Sequence, residues 1–245
     1  MPTRSFAHSN NPGFACAERV LLLPFGRESY LPAIVERGRG AAVAMDESTD
    51  RIVYQLEGAG RPVTLVYTGM GAPAAANGLE MIAANGGRRV VVFGACGGVV
   101  PEVAVGDLIV AFDAVRGEGT SRYYAPADRP AVCDRKLAAA LSAAVRSTGH
   151  ESVHGGRVFT TDAGYRQGPE IYDGRHGEVL AVECECAAAA IVAEELGLAL
   201  GALLFVTDNV TRTERQDRFY RGLQDPRVRT GFETGLAAAL AALVG

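Results

Sequence analysis

The chain has 245 residues, 48% of them hydrophobic, and its formal net charge is -4. That length and apolar content are enough for one large domain with a buried core. The mild acidity excludes a broad basic surface for nucleic acid, and no apolar run approaches the about 20 residues that span a membrane. The first 14 residues contain no apolar run, so we expect no signal peptide. We therefore expect a single domain over residues 1–245 that binds neither nucleic acid nor membrane.

Short apolar, β-branched runs alternate along the chain with alanine-rich helical stretches. The pattern predicts strands over residues 20–24, 62–68, 89–93, 107–114, 179–183 and 200–207. It predicts helices over residues 73–85, 134–148, 186–196 and 229–243, several of them followed by glycine at the expected C-cap. Several strands are apolar throughout, as strands covered on both faces are. We predict an α/β fold in which helices flank a central mixed β-sheet.

Five cysteines are scattered at positions 16, 96, 133, 184 and 186. An odd, scattered set argues against a disulfide framework and is typical of a protein in the reducing cytoplasm. Cys184 and Cys186 alternate with Glu183 and Glu185, and this spacing fits neither the paired cysteines of a zinc site nor the Cys-x-x-Cys of a redox site. We predict that the cysteines are small apolar fillers and that no metal is bound.

Glycines follow the third predicted strand in the stretch VVVFGACGGVV, residues 90–100. Gly94, Gly97 and Gly98 predict a turn at which the backbone approaches a ligand closely, although a tight turn without a ligand explains them equally well. The spacing is not G-x-G-x-x-G, and the acidic partner of that motif is missing. A nucleotide-dependent oxidoreductase is therefore disfavoured.

Two long polar loops follow predicted strands, and in α/β folds ligands gather at such places. The stretch RGEGTSRYYAP, residues 116–126, is a solvated loop when taken alone. Asp208 lies at the carboxyl end of a very apolar strand, with Arg212 and Arg215 a few residues on. An aspartate at that point is either a helix N-cap, which is the commoner case, or a proton donor.

In order and spacing, the motifs resemble those of the nucleoside phosphorylase superfamily, which contains hexameric purine nucleoside phosphorylases, uridine phosphorylases and methylthioadenosine/adenosylhomocysteine nucleosidases. The family turn G-[ST]-x-G-G followed by V-G-D resembles residues 94–98 and 105–107, and R-x-E-G-T-S resembles residues 116–121. V-E-M-E-A-A resembles residues 182–188, and a later S-D-x motif resembles residues 207–209. The resemblance covers almost the whole chain and implies an enzyme that acts on a nucleoside.

The resemblance assigns the ribose to the V-E-M-E-A-A region. Glu185 takes the position of the glutamate that binds the ribose hydroxyls, a role that suits a carboxylate because it accepts two hydrogen bonds from a vicinal diol. Cys184 replaces the methionine under the sugar, and Glu183 orients its neighbours or holds the backbone of the turn. His8 resembles a histidine that reaches into the neighbouring subunit to bind the ribose 5′-hydroxyl. That role implies a homo-oligomer, a dimer or a hexamer, with shared active sites.

The resemblance assigns the base to the last motif. Asp208 corresponds to an aspartate that neutralises charge on a departing purine, and uridine phosphorylases lack it. Arg215, or failing that Arg212, resembles an arginine that swings toward this aspartate. Gly164 stands where the family often has a phenylalanine, whereas Tyr165 matches the tyrosine that follows. The same motifs place three further residues among those that bind substrate: Gly97, Thr120 and Asn209.

The phosphate site of the family is the largest departure. Val92 stands in place of an arginine, and Ala95 in place of a serine or threonine. Gly26 and Arg27 fit the early phosphate loop only in a shifted register. The acidic stretch within residues 44–50, where a neighbour's arginine is expected, would repel phosphate.

These losses point to a different nucleophile. Glu28 lies within one position of a glutamate that activates water in the hydrolases of the superfamily, and a carboxylate suits water as a general base but does not suit phosphate. We therefore favour hydrolysis of a purine-type nucleoside, with or without a 5′ modification. Phosphorolysis with inorganic phosphate as co-substrate, and a catalytically silent nucleoside-binding relative, are the alternatives. The chemistry implied needs no metal or organic cofactor.

Overall fold

The computed structural model describes residues 15–46, 51–57, 60–166, 168, 171, 173–212 and 220–245, with the backbone alone at residues 44–46. His8, Arg215 and most of the acidic stretch before residue 51 lie outside this part. Within it, no helix is both long and apolar enough to cross a membrane.

Ten strands and five helices make up the described chain. The strands are β1 (Arg19–Leu23), β2 (Gly40–Asp46), β3 (Arg51–Leu56), β4 (Val63–Tyr67), β5 (Arg89–Gly98), β6 (Leu108–Gly117), β7 (Ala131–Val132), β8 (Val153–Thr161), β9 (Val179–Glu183) and β10 (Ala199–Asn209). The helices are α1 (Tyr30–Arg37), α2 (Ala72–Ala84), α3 (Arg135–Ser147), α4 (Cys186–Glu195) and α5 (Pro226–Val244).

Every strand and helix predicted from the sequence is present, but α1, β2, β3, β7 and β8 were not predicted. The β2 sequence, GAAVAMD, consists mostly of residues with low strand propensity. The β8 sequence, VHGGRVFTT, is interrupted by two glycines and two polar residues. The predicted turn at Gly94–Gly98 is wrong, because β5 continues as a strand through Gly98 and pairs with β10 along its whole length.

The sheet is mixed and closes on itself. Strands β5, β10, β6, β8 and β9 follow one another around a ring, because β5 pairs both with β10 in parallel and with β9 antiparallel. The edge of β5 opposite β10 also pairs with β1, and the sheet continues from there in the order β1, β4, β3, β2. The predicted central mixed sheet flanked by helices is therefore confirmed, with the addition that part of it forms a barrel.

Strand β5 has a short stretch with a neighbour on one side only. On that edge β1 pairs as far as Val92, and β9 pairs only at Gly97 and Gly98. Residues 93–96 therefore pair with β10 alone. The carboxyl ends of β1 and β9 both reach this gap, so the loop after β1 and the turn after β9 face each other across it.

Helices cover both faces of the sheet. Helices α2 and α4 pack on one face with the first core cluster, and α1, α3 and α5 pack on the other with the second. Phe205 on β10 is fully buried in the second cluster and lies 5.3 to 5.7 Å, between ring centroids, from four other rings. They are those of Phe25, Tyr30, Phe93 and Phe232. This aromatic cluster holds the loop after β1 against β5 and β10.

Replacing Phe205 with alanine should destabilise the fold strongly. The substitution removes a ring that has four aromatic neighbours and leaves a cavity, which we expect to lower the free energy of unfolding by about 3–5 kcal/mol. Tyr123→Ala is the control, because that side chain is 89% exposed and its loss should change stability by less than about 0.5 kcal/mol. Urea unfolding followed by far-UV circular dichroism measures both, and equal effects would contradict the assigned role.

Candidate active site

The floor of the candidate site is the part of β5 that lacks a second strand neighbour. A Cβ on Gly94 would lie 3.6 Å from Cγ of Pro24, which places the loop after β1 directly beside this floor. The neighbouring Ala95 is half-buried. In open α/β sheets, ligands bind in the crevice beyond the carboxyl ends of strands whose chains leave in different directions, and this gap has that form.

Gly97 brings the flanking strands together at the top of the floor. It pairs with Val182 of β9 on one side and with Asp208 of β10 on the other. A Cβ on Gly97 would lie 3.1 Å from Oδ2 of Asp208, so the absence of a side chain lets that carboxyl group lie across β5. Two strand spacings put the backbones of Val182 and Asp208 about 10 Å apart. Asp208 and the Glu183–Glu185 turn therefore flank one glycine.

The surroundings of Asp208 shift the pKa of its carboxyl group upward. Burial raises its pKa, and the hydrogen bond that Oδ1 accepts from the Thr207 hydroxyl, 2.8 Å long, opposes the rise. The aspartate lies within β10 and not at a helix N-terminus. The helix N-cap interpretation of Asp208 is therefore wrong, because the strand extends through Asn209.

Glu183 holds the start of helix α4. Its Oε2 accepts hydrogen bonds from the amides of Glu185 and Cys186, at 2.6 and 2.7 Å. Its Oε1 accepts from the hydroxyl of Thr160, and that hydroxyl also accepts from the amide of Ala187 at 2.8 Å. Carboxylates are stabilised by free amides at a helix N-terminus. With both oxygens used in this way, Glu183 fixes the backbone that carries Glu185.

Among the described residues, Glu185 has fewer hydrogen-bond donors around it than Glu183 has. Its Oε1 accepts one hydrogen bond from the amide of Gly71, at 2.7 Å. Burial, and then the charge of Glu183, raise the pKa of Glu185 to about 8, against the opposing effect of the Gly71 and Cys184 amides. Burial also raises the pKa of Glu183, where the Thr160 hydroxyl and two amides oppose it. Because Glu183 has more donors, a proton shared by the pair resides on Glu185.

The partner of Glu185 comes from a loop that the sequence reasoning did not single out. The segment Thr68-Gly69-Met70-Gly71 joins β4 to α2, and Gly69 and Gly71 have φ values of 78° and 105°. Glycine is needed there because other residues rarely adopt that backbone conformation. Met70 is 73% exposed beside this turn. Two glycines one residue apart, between an apolar strand and a helix with proline at its start, were a usable signal.

The RGEGTS stretch folds as a self-supporting loop. Glu118 is buried and accepts hydrogen bonds from the amide and the hydroxyl of Ser121. Arg116 donates to the Ser121 hydroxyl at 2.8 Å and to three carbonyl groups between residues 125 and 129. Asp162, after β8, accepts from the amide of Gly119 at 2.9 Å. These bonds hold the half-buried Thr120 at the end of β6.

Two of the predicted substrate-binding side chains are placed differently from the prediction. The Asn209 amide is buried and fully used: its nitrogen donates to the carbonyls of Val100 and Val103, and its oxygen accepts from the amide and hydroxyl of Thr211. It therefore holds loops together and has no group left for a ligand. Tyr165 is fully exposed and stacks on no ring among the residues that the structure describes.

The residues predicted to bind phosphate or activate water lie in the loop after β1, across the gap from the Glu183–Glu185 turn. The carbonyl of Gly26 accepts the amides of Ser29, Tyr30 and Leu31 and so begins α1. Arg27 and Glu28 are exposed in this loop. Val92 is fully buried in the core, below the floor.

The cysteines and the acidic groups offer no metal centre in the described ranges. No group of three or more His, Cys, Asp or Glu side chains there could hold a metal ion. The cysteines are free thiols. Burial, followed by the charges of Glu185, Glu183 and Asp162, raises the pKa of Cys184 to about 12, so the thiol is neutral beside the two glutamates.

Known proteins with similar sequences cover part of this chain. Guanosine phosphorylase of Halorubrum lacusprofundi is 33% identical over 152 residues, which are 62% of this chain and 63% of that protein. Uridine phosphorylase of Thermococcus kodakarensis is 34% identical over 169 residues, 63% of this chain and 61% of that protein. The chain thus spans less than two thirds of the length of these relatives.

Solved structures show the same fold over nearly the whole chain. A uridine phosphorylase from Vibrio fischeri, complexed with 6-hydroxy-1-naphthoic acid, superposes with a TM-score of 0.79 at 22% identity, covering 94% of this chain and 92% of that one. A purine nucleoside phosphorylase from Toxoplasma gondii, in complex with immucillin-H, superposes with a TM-score of 0.80 at 20% identity, covering 93% and 90%. A family model described as "Phosphorylase superfamily" matches residues 28–228. The chain belongs to the phosphorylase superfamily.

Proposed function

We propose that the protein cleaves the N-glycosidic bond of a nucleoside and that inorganic phosphate is the nucleophile, giving free base and ribose 1-phosphate. The observation that carries this proposal is the placement of Asp208 and the Glu183–Glu185 turn on either side of Gly97. One group can hold the departing base and the other the sugar. The names of the relatives, a guanosine and a uridine phosphorylase, support phosphate as the nucleophile.

The sugar is assigned to Glu185. Its carboxyl group is buried at the start of α4, and Oε1 accepts a short hydrogen bond from the backbone amide of Gly71. An ionised carboxylate has enough lone pairs to keep that bond and accept two more from a vicinal diol. Cys184, a neutral thiol, provides an apolar surface next to it.

The base is assigned to Asp208. Breaking the glycosidic bond leaves negative charge on the base, and a protonated carboxyl group within hydrogen-bond reach neutralises it as it forms. Burial favours the protonated form of Asp208. An acid of this kind fits a purine, whose ring nitrogen accepts the proton, so we propose a purine-type nucleoside. We assign Arg212, four residues after Asp208, to assist this aspartate. Its buried Nε has no hydrogen-bond partner among the described residues.

Hydrolysis is the second candidate, and the floor of the gap favours it. Val92 is buried in the core and Ala95 presents a methyl group, so neither supplies a cation or a hydroxyl for phosphate. Under this alternative Glu28 is the general base that activates water. Under phosphorolysis Arg27, together with the backbone of Gly26, binds the anion.

Three broader features complete the proposal. The reaction needs no metal or organic cofactor, because the charges that develop lie on the base and the sugar, within reach of fixed side chains. The resemblance supports a homo-oligomer with shared sites, to which His8 of a neighbour contributes. The cysteine pattern supports a cytoplasmic location.

A silent nucleoside-binding relative is less favoured, since binding alone does not require a buried proton donor opposite the sugar site.

A nucleoside panel assayed with and without phosphate tests the proposed reaction. We expect release of guanine, hypoxanthine or adenine that depends on phosphate and yields ribose 1-phosphate in equal amount. Asp208→Asn is the control, and it should lower kcat by about 10²- to 10⁴-fold because the amide cannot supply the proton. Base release at the same rate without phosphate would favour hydrolysis. Tight binding without turnover would favour the silent relative.

The variant Glu28→Gln separates the two nucleophiles. If phosphate attacks, the substitution should leave kcat within about twofold, since the exposed Glu28 carboxylate then has no proton to take. If water attacks, kcat should fall by about 10²-fold or more. Glu36→Gln, an exposed glutamate on α1, is the matched control. Initial rates of base release at saturating nucleoside measure all three proteins.

Nucleoside affinity should depend on pH through Glu185. Its pKa of about 8 means that the free protein carries a proton on Glu185 at neutral pH, and that proton must leave before the carboxylate accepts both ribose hydroxyls. KM should therefore fall by up to about tenfold per pH unit as pH rises toward about 8. Above that pH it should level off. In Glu185→Gln the KM should be higher and independent of pH. A flat KM in the unsubstituted protein would contradict the assignment.

A further inference from the structure

The side chain next to Asp208 occupies an irregular position in its strand. Val206 pairs with Cys96, and Asp208 pairs with Gly97, the next residue of β5, so Thr207 is an extra residue in β10. Successive side chains of a regular strand point to opposite faces, which would keep the Thr207 hydroxyl away from Asp208. The bulge removes that restriction, as bulges beside active sites often do. The hydroxyl lies 2.8 Å from Oδ1 of Asp208.

The Thr207 hydroxyl has two acceptors and one proton. Besides Oδ1 of Asp208, the backbone carbonyl of Cys96 lies 3.2 Å from it. A threonine hydroxyl donates a single hydrogen bond, and a carbonyl oxygen can only accept. Thr207 is buried, so water does not compete for the proton. At any moment the hydroxyl proton therefore points either at Cys96 or at Asp208.

The charge on Asp208 decides between the two directions. When Asp208 is protonated, both acceptors are neutral and the hydroxyl is shared between them. When Asp208 is ionised, the hydrogen bond to it becomes charge-assisted and roughly twice as strong. The bond is thus weak in the ground state and strong once the proton has left, and an interaction of that kind accelerates a chemical step.

We propose, on the basis of the proposed function, that Thr207 is a positioning residue whose hydroxyl proton turns from the Cys96 carbonyl to Asp208 as Asp208 protonates the leaving base. The Oδ2–H bond of Asp208 breaks, and its proton joins the base nitrogen that receives the electron pair of the glycosidic bond. The Thr207 hydroxyl stabilises the negative charge left on Asp208 by donating a hydrogen bond to Oδ1. Thr207 keeps its own proton throughout, so no further reactant is needed.

Among the described residues, the Thr207 hydroxyl donates the side-chain hydrogen bond that lowers the pKa of Asp208. Burial and Thr207 are the two influences on the pKa of Asp208 within the described chain. The nearest titratable group on β5 is Cys96, whose pKa is raised well above its usual value by burial and then by the charges of Asp208, Glu183 and Asp107. It therefore stays a neutral thiol and adds no negative charge beside Asp208.

The test compares Thr207→Val, which keeps the shape but lacks the hydroxyl, with Thr207→Ser, which keeps the hydroxyl. In the valine variant we expect kcat to fall about tenfold to a hundredfold, as for loss of a hydrogen bond to a charged group, with KM within about twofold. The alkaline limb of the kcat–pH profile should move to higher pH, because Asp208 becomes a weaker acid. The serine variant should restore both. Thr207→Ala replaces the valine variant if thermal unfolding shows that valine prevents folding.

Infrared spectroscopy measures the same effect without turnover. The carboxylic acid band of Asp208, identified by its loss in Asp208→Asn, should disappear at higher pH in Thr207→Val than in the unsubstituted protein. An unmoved band together with an unmoved alkaline limb would overturn the role of Thr207. If the unsubstituted protein cleaves no nucleoside, the proposed function fails. An unmoved band would then overturn the support that Thr207 gives to the ionised Asp208, and a moved band would sustain it.

Discussion

The edge of β5 that lacks a strand neighbour at residues 93–96 is the constraint on which the rest of the structure depends. On this edge β1 pairs with the first part of β5 and β9 pairs with its last two residues. The residues between them have no strand neighbour on that side, because both neighbouring strands end there. The closed ring of strands forces this arrangement, because β9 must meet β5 to complete it. Two chain segments with different chemistry, the loop after β1 and the turn after β9, are therefore brought to one place.

Burial raises the pKa of the carboxyl groups beside this crevice. Three acids lie beside it, and the partners of each give it a different state. Burial raises the pKa of Glu183, Glu185 and Asp208, and the hydrogen bonds that each carboxyl group accepts oppose the rise, with more of them at Glu183 than at Glu185 or Asp208. The Glu183 carboxyl group also accepts hydrogen bonds from the free amides at the start of helix α4. One buried carboxyl group therefore both holds the backbone and raises the pKa of its neighbour Glu185.

Much of the fold followed from local pattern, since the apolar runs and alanine-rich stretches are long and regular. The edge hairpin of β2 and β3 was missed because alanine and glycine carry little strand signal. Glu185 and Asp208 were predicted as site residues, through resemblance, and the structure places them on either side of Gly97. Gly71, Thr160 and Thr207 were not predicted. Each acts through a contact that no local pattern encodes.

The amino-acid sequence by itself determined six of the strands, four of the helices and the identity of the acidic groups. Tertiary structure decided which of these groups remain available to a ligand. Asn209 lies one residue after Asp208, yet loop carbonyls and Thr211 use its whole amide. A one-residue bulge decided that Thr207 bonds to Asp208. The physical reason is that hydrogen-bond partners, burial and strand register depend on residues far apart in the chain, and those meet only when the sheet closes.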